Sequence, residues 1–260
     1  MDGDQVTSLG WVGVGRMGRA LVTRLLSAGH EVAIYNRTRA KAADLADLGA
    51  TIVDSVADLA DRDIVFTMVA GSADVEEVVS GLLSREDARP GLIVDSTTIS
   101  PAAAEQIRAA AAERGTAMLA APVSGNPKVA ESGRLTIVTS GPPDAWELAR
   151  PYLEILCRRV TYVGEGERAR LVKICHNLML GVVAQCMAEV TVLAEKGGVA
   201  RADFLDFLND SVMGSTFTRY KTPAYVNLDF TPTFTPALLL KDFHLGFEAA
   251  REMDVAMPLA

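Results

Sequence analysis

Cysteine is scarce in this chain of 260 residues. Cys157, Cys175 and Cys186 are odd in number and lack the spacing of a metal-ligand set, so no metal site is expected from them. They read as core residues of a protein in a reducing, cytoplasmic setting. Positive charge is also short: 25 Lys and Arg stand against 33 Asp and Glu, for a net charge of -8. An acidic chain does not attract polyphosphate in bulk, which argues against nucleic acid as a partner. An anionic ligand would need locally placed cations instead. No uninterrupted run of about 18 apolar residues occurs, so no membrane-spanning helix is expected. The most apolar long segment, 171–193, carries Lys173, His176, Asn177 and Glu189 and reads as a buried core helix. Met1-Asp2-Gly3-Asp4 lacks the basic-then-apolar order of a secretory signal. Internal repeats and low-complexity tracts are not evident either.

What is present is a soluble-protein composition, 49% hydrophobic and 22% charged, with a clear change of character along the chain. In the first part, short runs rich in Val, Ile and aromatic residues at 8–14, 31–35, 51–53, 63–69 and 91–96 read as strands. Helical patterns at 16–28, 39–48, 73–83 and 102–114 separate them. This alternation predicts an α/β fold with a doubly wound parallel sheet. Runs at 118–123, 135–140 and 159–163 would extend that sheet. Beyond Gly164 only helical periods remain, at 171–196, 202–210 and 237–254. Two domains follow: an α/β domain over 1–164 and an all-α domain over 165–260.

The first strand runs into Gly13-Val14-Gly15-Arg16-Met17-Gly18, which opens the first helix. The three glycines suit a tight turn, close approach of backbone to phosphate, and close helix–strand packing. The helix N-terminus adds partial positive charge. The second strand ends at Asn36-Arg37-Thr38, where an NAD-selective fold usually places a carboxylate. A carboxylate repels a 2′-phosphate, whereas a guanidinium can bind one bidentately. NADP(H) is therefore the expected cofactor, with NAD(H) possible as a second. Far downstream, Lys173 and Asn177 stand four residues apart on one helix face. An ammonium there can stabilise negative charge building on a carbonyl oxygen and then deliver a proton.

With these motifs in view, the chain resembles the β-hydroxyacid dehydrogenases, a family that includes 3-hydroxyisobutyrate dehydrogenases and glyoxylate/succinic semialdehyde reductases. The resemblance rests on five stretches in order. They are the Gly13–Gly18 turn with Asn36-Arg37-Thr38; Asp95-Ser96-Thr97-Thr98-Ile99-Ser100-Pro101; Ala121-Pro122-Val123-Ser124-Gly125; Gly164-x-Gly166 leading to Lys173-Ile174-Cys175-His176-Asn177; and Phe234-Thr235-Pro236 with Lys241-Asp242. It implies Lys173 as general acid and Asn177 as the residue that orients substrate or that lysine. It implies Ser124, Gly125 and Asn126 at the substrate carboxylate, and Met68, Val69, Ala70 and Thr98 beside the cofactor. Lys241 would reach the cofactor from the helical domain, supported by Asp242. The implied substrate is a small carboxylate-bearing aldehyde or hydroxy acid, and the implied assembly a homodimer or homotetramer, with no nucleic acid or membrane partner.

The chain departs from the family pattern in places. Asn126-Pro127-Lys128 replaces a glycine-rich continuation, and His176 replaces the first of two asparagines. Lys128 reads as a solvated charge, and His176 as a packing or contact residue with a proton relay as the alternative. His30 reads as structural and His244 as a helix-surface or interface residue. The loop 213–217 is expected to shape specificity. Family members normally continue past Ala260 through further closing helices. Two other readings compete: an imine reductase of the same architecture, which typically lacks this lysine, and a catalytically silent NADP-binding protein.

Overall fold

The computed structural model describes residues 7–232 and 234–260; the reading of Met1–Asp4 lies outside them. Six parallel strands form the main sheet: β1 (Leu9–Val12), β2 (Val32–Tyr35), β3 (Thr51–Ile52), β4 (Ile64–Thr67), β5 (Leu92–Asp95) and β6 (Ala117–Ala120). Their spatial order is β3-β2-β1-β4-β5-β6. The direction of winding reverses between β1 and β4, which is where open α/β sheets bind ligands. The expected doubly wound sheet is thus present.

The central strands are apolar at nearly every position because both faces are covered. Trp11, Ile34, Phe66 and Val94 pack on one side with Leu21 and Leu25 of α1 (Arg16–Ser27). Val12, Val65 and Ile93 pack on the other with Val75 and Leu82 of α2 (Ser72–Leu82) and Ile107 of α3 (Pro101–Glu113). Ser100 caps α3 by accepting from the Ala103 N–H, and Pro101 opens it.

Several expectations need correction. The 39–48 segment forms two short 3-10 helices, Arg39–Lys41 and Ala43–Leu48, rather than an α-helix. Of the three runs expected to extend the sheet, only β6 does so. The others join a separate three-stranded sheet of β7 (Val123–Ser124), β8 (Thr136–Thr139) and β9 (Arg159–Tyr162). In it β7 pairs antiparallel with β8, a turn that a parallel sheet cannot make. Two helices were not anticipated, α4 (Pro127–Glu131) and α5 (Pro143–Leu156). Pro127 opens a helix, which Asn126 caps.

The chain divides into two compact units, residues 1–173 and 174–260. Helix α6 (Arg168–Lys196) begins in the first and continues into the second. The second unit also holds α7 (Arg201–Asp210), α8 (Thr216–Asn227) and α9 (Pro236–Glu252). Helix α8 was not read from the sequence, and part of the expected 213–217 loop is its capped N-terminus: Ser215 accepts from the Thr218 N–H. A Cβ on Gly181 of α6 would lie 2.5 Å from the Phe243 ring of α9, and one on Gly246 of α9 would lie 2.5 Å from Leu178 of α6. The two helices approach closely because both positions lack a side chain.

The reading of 171–193 as a buried core helix fails. Helix α6 is long and apolar enough to cross a membrane by length and composition alone, yet only 22% of its most apolar window is buried. Ile174, Leu178 and Met187 are buried, whereas Met179 and Leu193 are 69% and 73% exposed. The segment is apolar on more than one face, and one chain covers only part of it. The cysteines divide likewise. Cys157 is buried, and its burial pushes the thiol up to about 11, while Cys175 and Cys186 are exposed.

Candidate active site

The glycine turn lies at the end of β1, beside the winding reversal. Gly13 has φ +94°, and a Cβ there would sit 2.3 Å from the Met68 carbonyl oxygen. A Cβ on Gly18 would sit 2.0 Å from the Gly13 carbonyl oxygen. Gly15 differs: nothing lies within 4 Å of the place its Cβ would take. It is the N-cap of α1, no side chain caps that end, and no acidic residue stands in the first turn. An open, glycine-floored helix N-terminus of this kind fits a dinucleotide pyrophosphate. Arg16 is exposed and Met17 half-buried at the start of the same helix.

Side chains missed in the sequence hold the turn. Trp11 stacks on Phe66 with centroids 5.5 Å apart, and its indole Nε1 donates to the Gly13 carbonyl at 2.9 Å. Asn36, where an NAD-selective fold usually places a carboxylate, accepts from the Val14 N–H at 2.9 Å and donates to the Thr38 carbonyl at 2.8 Å. Its amide thereby ties the end of β2 to the turn. Arg37 is exposed and pairs with Asp74 of α2 at 3.3 Å.

The ends of β4 and β5 are also joined. The Val69 N–H donates to Thr97 Oγ1 at 3.1 Å, and Thr67 Oγ1 donates to Asp95 at 2.7 Å. Ala70 is exposed and Thr98 half-buried beside this link. Asp95 further accepts from the Thr97 N–H at 3.2 Å and from Arg170 Nη2 at 2.8 Å. Arg170 stands three residues before Lys173 on α6. Lys173 is half-buried.

Ser124 ends β7, and Gly125 follows with φ +137°. Asn126 Oδ1 accepts from the Val129 N–H at 3.0 Å, so the oxygen of its amide is used in capping. Lys128 is exposed, in keeping with a solvated charge.

In the second unit Asn177 is 4% exposed and donates to Asp242 Oδ2 at 2.6 Å. Asp242, beside Lys241 on α9, thus accepts from Asn177. His176 Nδ1 lies 2.9 Å from Asn177 Oδ1, a contact that requires the proton on Nδ1. His30 packs edge-on against Tyr152 at 5.2 Å, as a structural residue does, and His244 is exposed.

A Rossmann sheet with a phosphate-fitting turn, followed by helices, is an architecture that dinucleotide-dependent oxidoreductases use. The family model described as the NAD binding domain of 6-phosphogluconate dehydrogenase matches residues 8–164. The model described as NAD-binding of NADP-dependent 3-hydroxyisobutyrate dehydrogenase matches residues 167–260. An uncharacterized oxidoreductase of Bacillus subtilis, YfjR, is 34% identical, over 96% of this chain and 88% of its own length. The NAD-dependent L-serine dehydrogenase of Pseudomonas aeruginosa is 31% identical, again over 96% and 88%. The structure of Mycobacterium tuberculosis 3-hydroxyisobutyrate dehydrogenase with L-serine superposes with a TM-score of 0.88 at 30% identity, covering 98% of this chain and 90% of that one. The chain belongs to the β-hydroxyacid dehydrogenase family, as the sequence resemblance implied.

Proposed function

We propose that the chain reduces small carboxylate-bearing aldehydes or keto acids, or in reverse oxidises 3-hydroxy acids, with Lys173 as the proton donor and acceptor. The observation that carries this is the placement of Lys173 on the first turns of α6, one turn past an arginine bonded to the Thr97 carbonyl at the end of β5. A bound nicotinamide supplies or accepts the hydride. In the reducing direction the carbonyl carbon gains the hydride and its oxygen gains the Lys173 proton, which leaves an alcohol and a neutral amine. Asn177, fixed by Asp242, orients the substrate or the lysine. Ser124, Gly125 and Asn126 bind the substrate carboxylate. The relatives named for 3-hydroxyisobutyrate and L-serine support substrates of this size and charge.

The domain roles follow the same reading: residues 1–164 hold the dinucleotide, and residues 165–260 serve substrate and subunit association. The exposed apolar residues Val172, Met179 and Leu193, which share one face of α6, support a homodimer or homotetramer. Sedimentation equilibrium is expected to give a multiple of the 27.7 kDa chain mass, and a monomer at micromolar concentration would refute it. Free cysteines support a cytoplasmic enzyme.

The test is a screen of 3-hydroxyisobutyrate, L-serine, glyoxylate, succinic semialdehyde and a cyclic imine with both nicotinamides. Turnover of an acid or its semialdehyde is expected. Turnover of the imine alone would move the protein to the imine reductases, and NADPH binding without turnover of any compound would leave a silent binder.

NADP(H) is the proposed preference, with Arg37 as the 2′-phosphate ligand. Asp74 competes for that guanidinium. An exposed pair of this type is worth about 0–1 kcal/mol. Asp74→Asn is therefore expected to tighten NADPH binding up to about five-fold and leave NADH unchanged. Arg37→Ala should weaken NADPH alone, by about ten-fold. Fluorescence titration reads both, and equal changes for the two cofactors would remove Arg37 from the phosphate site.

A further inference from the structure

We propose that Arg170 is a positioning residue for Lys173, acting through its buried pairing with Asp95; the proposal rests on the reading of Lys173 as proton donor. Arg170 is 3% exposed and Asp95 is fully buried. The guanidinium donates to three residues, two of them at the end of β5 and one just ahead of α6. Nη2 donates to Asp95 Oδ2 at 2.8 Å, Nη1 to the Thr97 carbonyl at 2.7 Å, and Nε to Glu167 Oε2 at 2.8 Å. Glu167 accepts with its other oxygen from Arg108 Nε of α3 at 2.8 Å. Asp95 is satisfied on its far side by Thr67 and the Thr97 N–H, and Thr97 in turn receives the Val69 N–H. The first turn of α6 is thereby bonded to the turn after β5 and, through Thr97, to the end of β4.

Lys173 follows Arg170 by three residues, a rise of about 4.5 Å along the helix. The residues proposed beside the cofactor, Val69 and Thr98, border the same network. Arg170 thus fixes the origin of the lysine side chain against the backbone that faces the ring. Stability alone does not explain such a pair. A buried ion pair can often be exchanged for neutral residues of similar volume at little cost, because desolvation cancels much of the attraction. What a neutral pair cannot supply is the forked geometry that holds an aspartate and a carbonyl together.

The network lies within residues 1–173, and its effect is predicted to appear in the chemical step. The compound from the screen with the highest turnover serves as substrate. The variants are Arg170→Met/Asp95→Asn, which removes both charges, Arg170→Lys, which keeps one charge without the fork, Lys173→Ala, and the triple combination. Circular dichroism and NADPH titration accompany the kinetics. The neutral double variant is expected to fold, bind NADPH like the parent, keep its KM, and lose about 10- to 100-fold in kcat, the scale of a small misplacement of a reacting group. Arg170→Lys should fall between the two, and it carries the test if the double variant does not fold. In the Lys173→Ala background the same double change should have almost no effect, since no lysine remains to position. Parental kcat in the double variant or, where that does not fold, in Arg170→Lys, or an equal loss with and without Lys173, overturns the positioning role. Parental kcat in Lys173→Ala instead overturns the proton-donor reading, and the two failures are read from different variants.

Discussion

Lys173→Ala is expected to lower kcat by about 10²–10⁴, the usual contribution of a positioned general acid. The same variant should bind NADPH as the parent does. The glycine turn, Asn36 and Arg37 are held by contacts among Tyr35, Val14, Thr38, Trp11 and Asp74, and none of these includes the lysine. Lys173→Arg separates two ways the side chain could act. A guanidinium retains positive charge near a developing oxyanion, but it does not release its proton near neutral pH. If the ammonium both stabilises charge and transfers a proton, arginine should recover little of the lost turnover. Full recovery would mean that the positive charge alone suffices. Unchanged kcat in the alanine variant would refute the assignment outright. The measurement is steady-state kcat and KM on the best substrate from the screen, beside cofactor titration of each variant.

The sequence made the phosphate turn legible because glycine spacing reports local backbone geometry. Gly13 needs a positive φ, and Gly18 leaves no space for a methyl group. Strands of the main sheet were legible for a similar reason: burial on both faces writes an almost unbroken apolar run. The second sheet was not, because Thr136–Thr139 and Arg159–Tyr162 carry the same β-type composition whichever sheet they join. Prolines concealed helices: Pro151 lies inside α5 and Pro223 inside α8. Asn36 stands where the fold usually places a cofactor ligand, and nothing local in the sequence signalled that its amide also braces the turn. Arg170 carried no local signal at all. An arginine early in a helix reads as a solvated charge, and its partner Asp95 lies 75 residues upstream. Helix α6 misled in the opposite direction, since apolar composition says that a surface is to be covered but not by what. Lys173 itself was found through spacing and motif, while the bonds that tie its helix turn to β5 belong to tertiary structure.

The glycine turn gives a prediction in which two similar substitutions behave differently. Gly18→Ala brings a methyl group to within 2.0 Å of the Gly13 carbonyl oxygen and 3.2 Å of Trp11 Nε1. The clash is with backbone, so α1 must move away from β1, and the Trp11 bond that holds the turn is strained with it. The unliganded protein should lose about 3 kcal/mol of stability, seen as a lower denaturation midpoint, and cofactor binding should weaken as a consequence. Gly15→Ala meets no protein atom within 4 Å and requires no unusual φ, because Gly15 has φ -61°. The unliganded protein should therefore unfold at the parental midpoint. Its new methyl group, however, occupies the space above the α1 N-terminus where the pyrophosphate must approach backbone N–H groups. NADPH affinity is expected to fall about 100-fold, roughly 2.7 kcal/mol. Loss of binding without loss of stability is the signature of a ligand surface, because a purely structural turn would show the reverse. If Gly15→Ala binds NADPH as tightly as the parent, the phosphates do not lie over this glycine. The dinucleotide would then have to be held by some other part of the strand ends at the winding reversal.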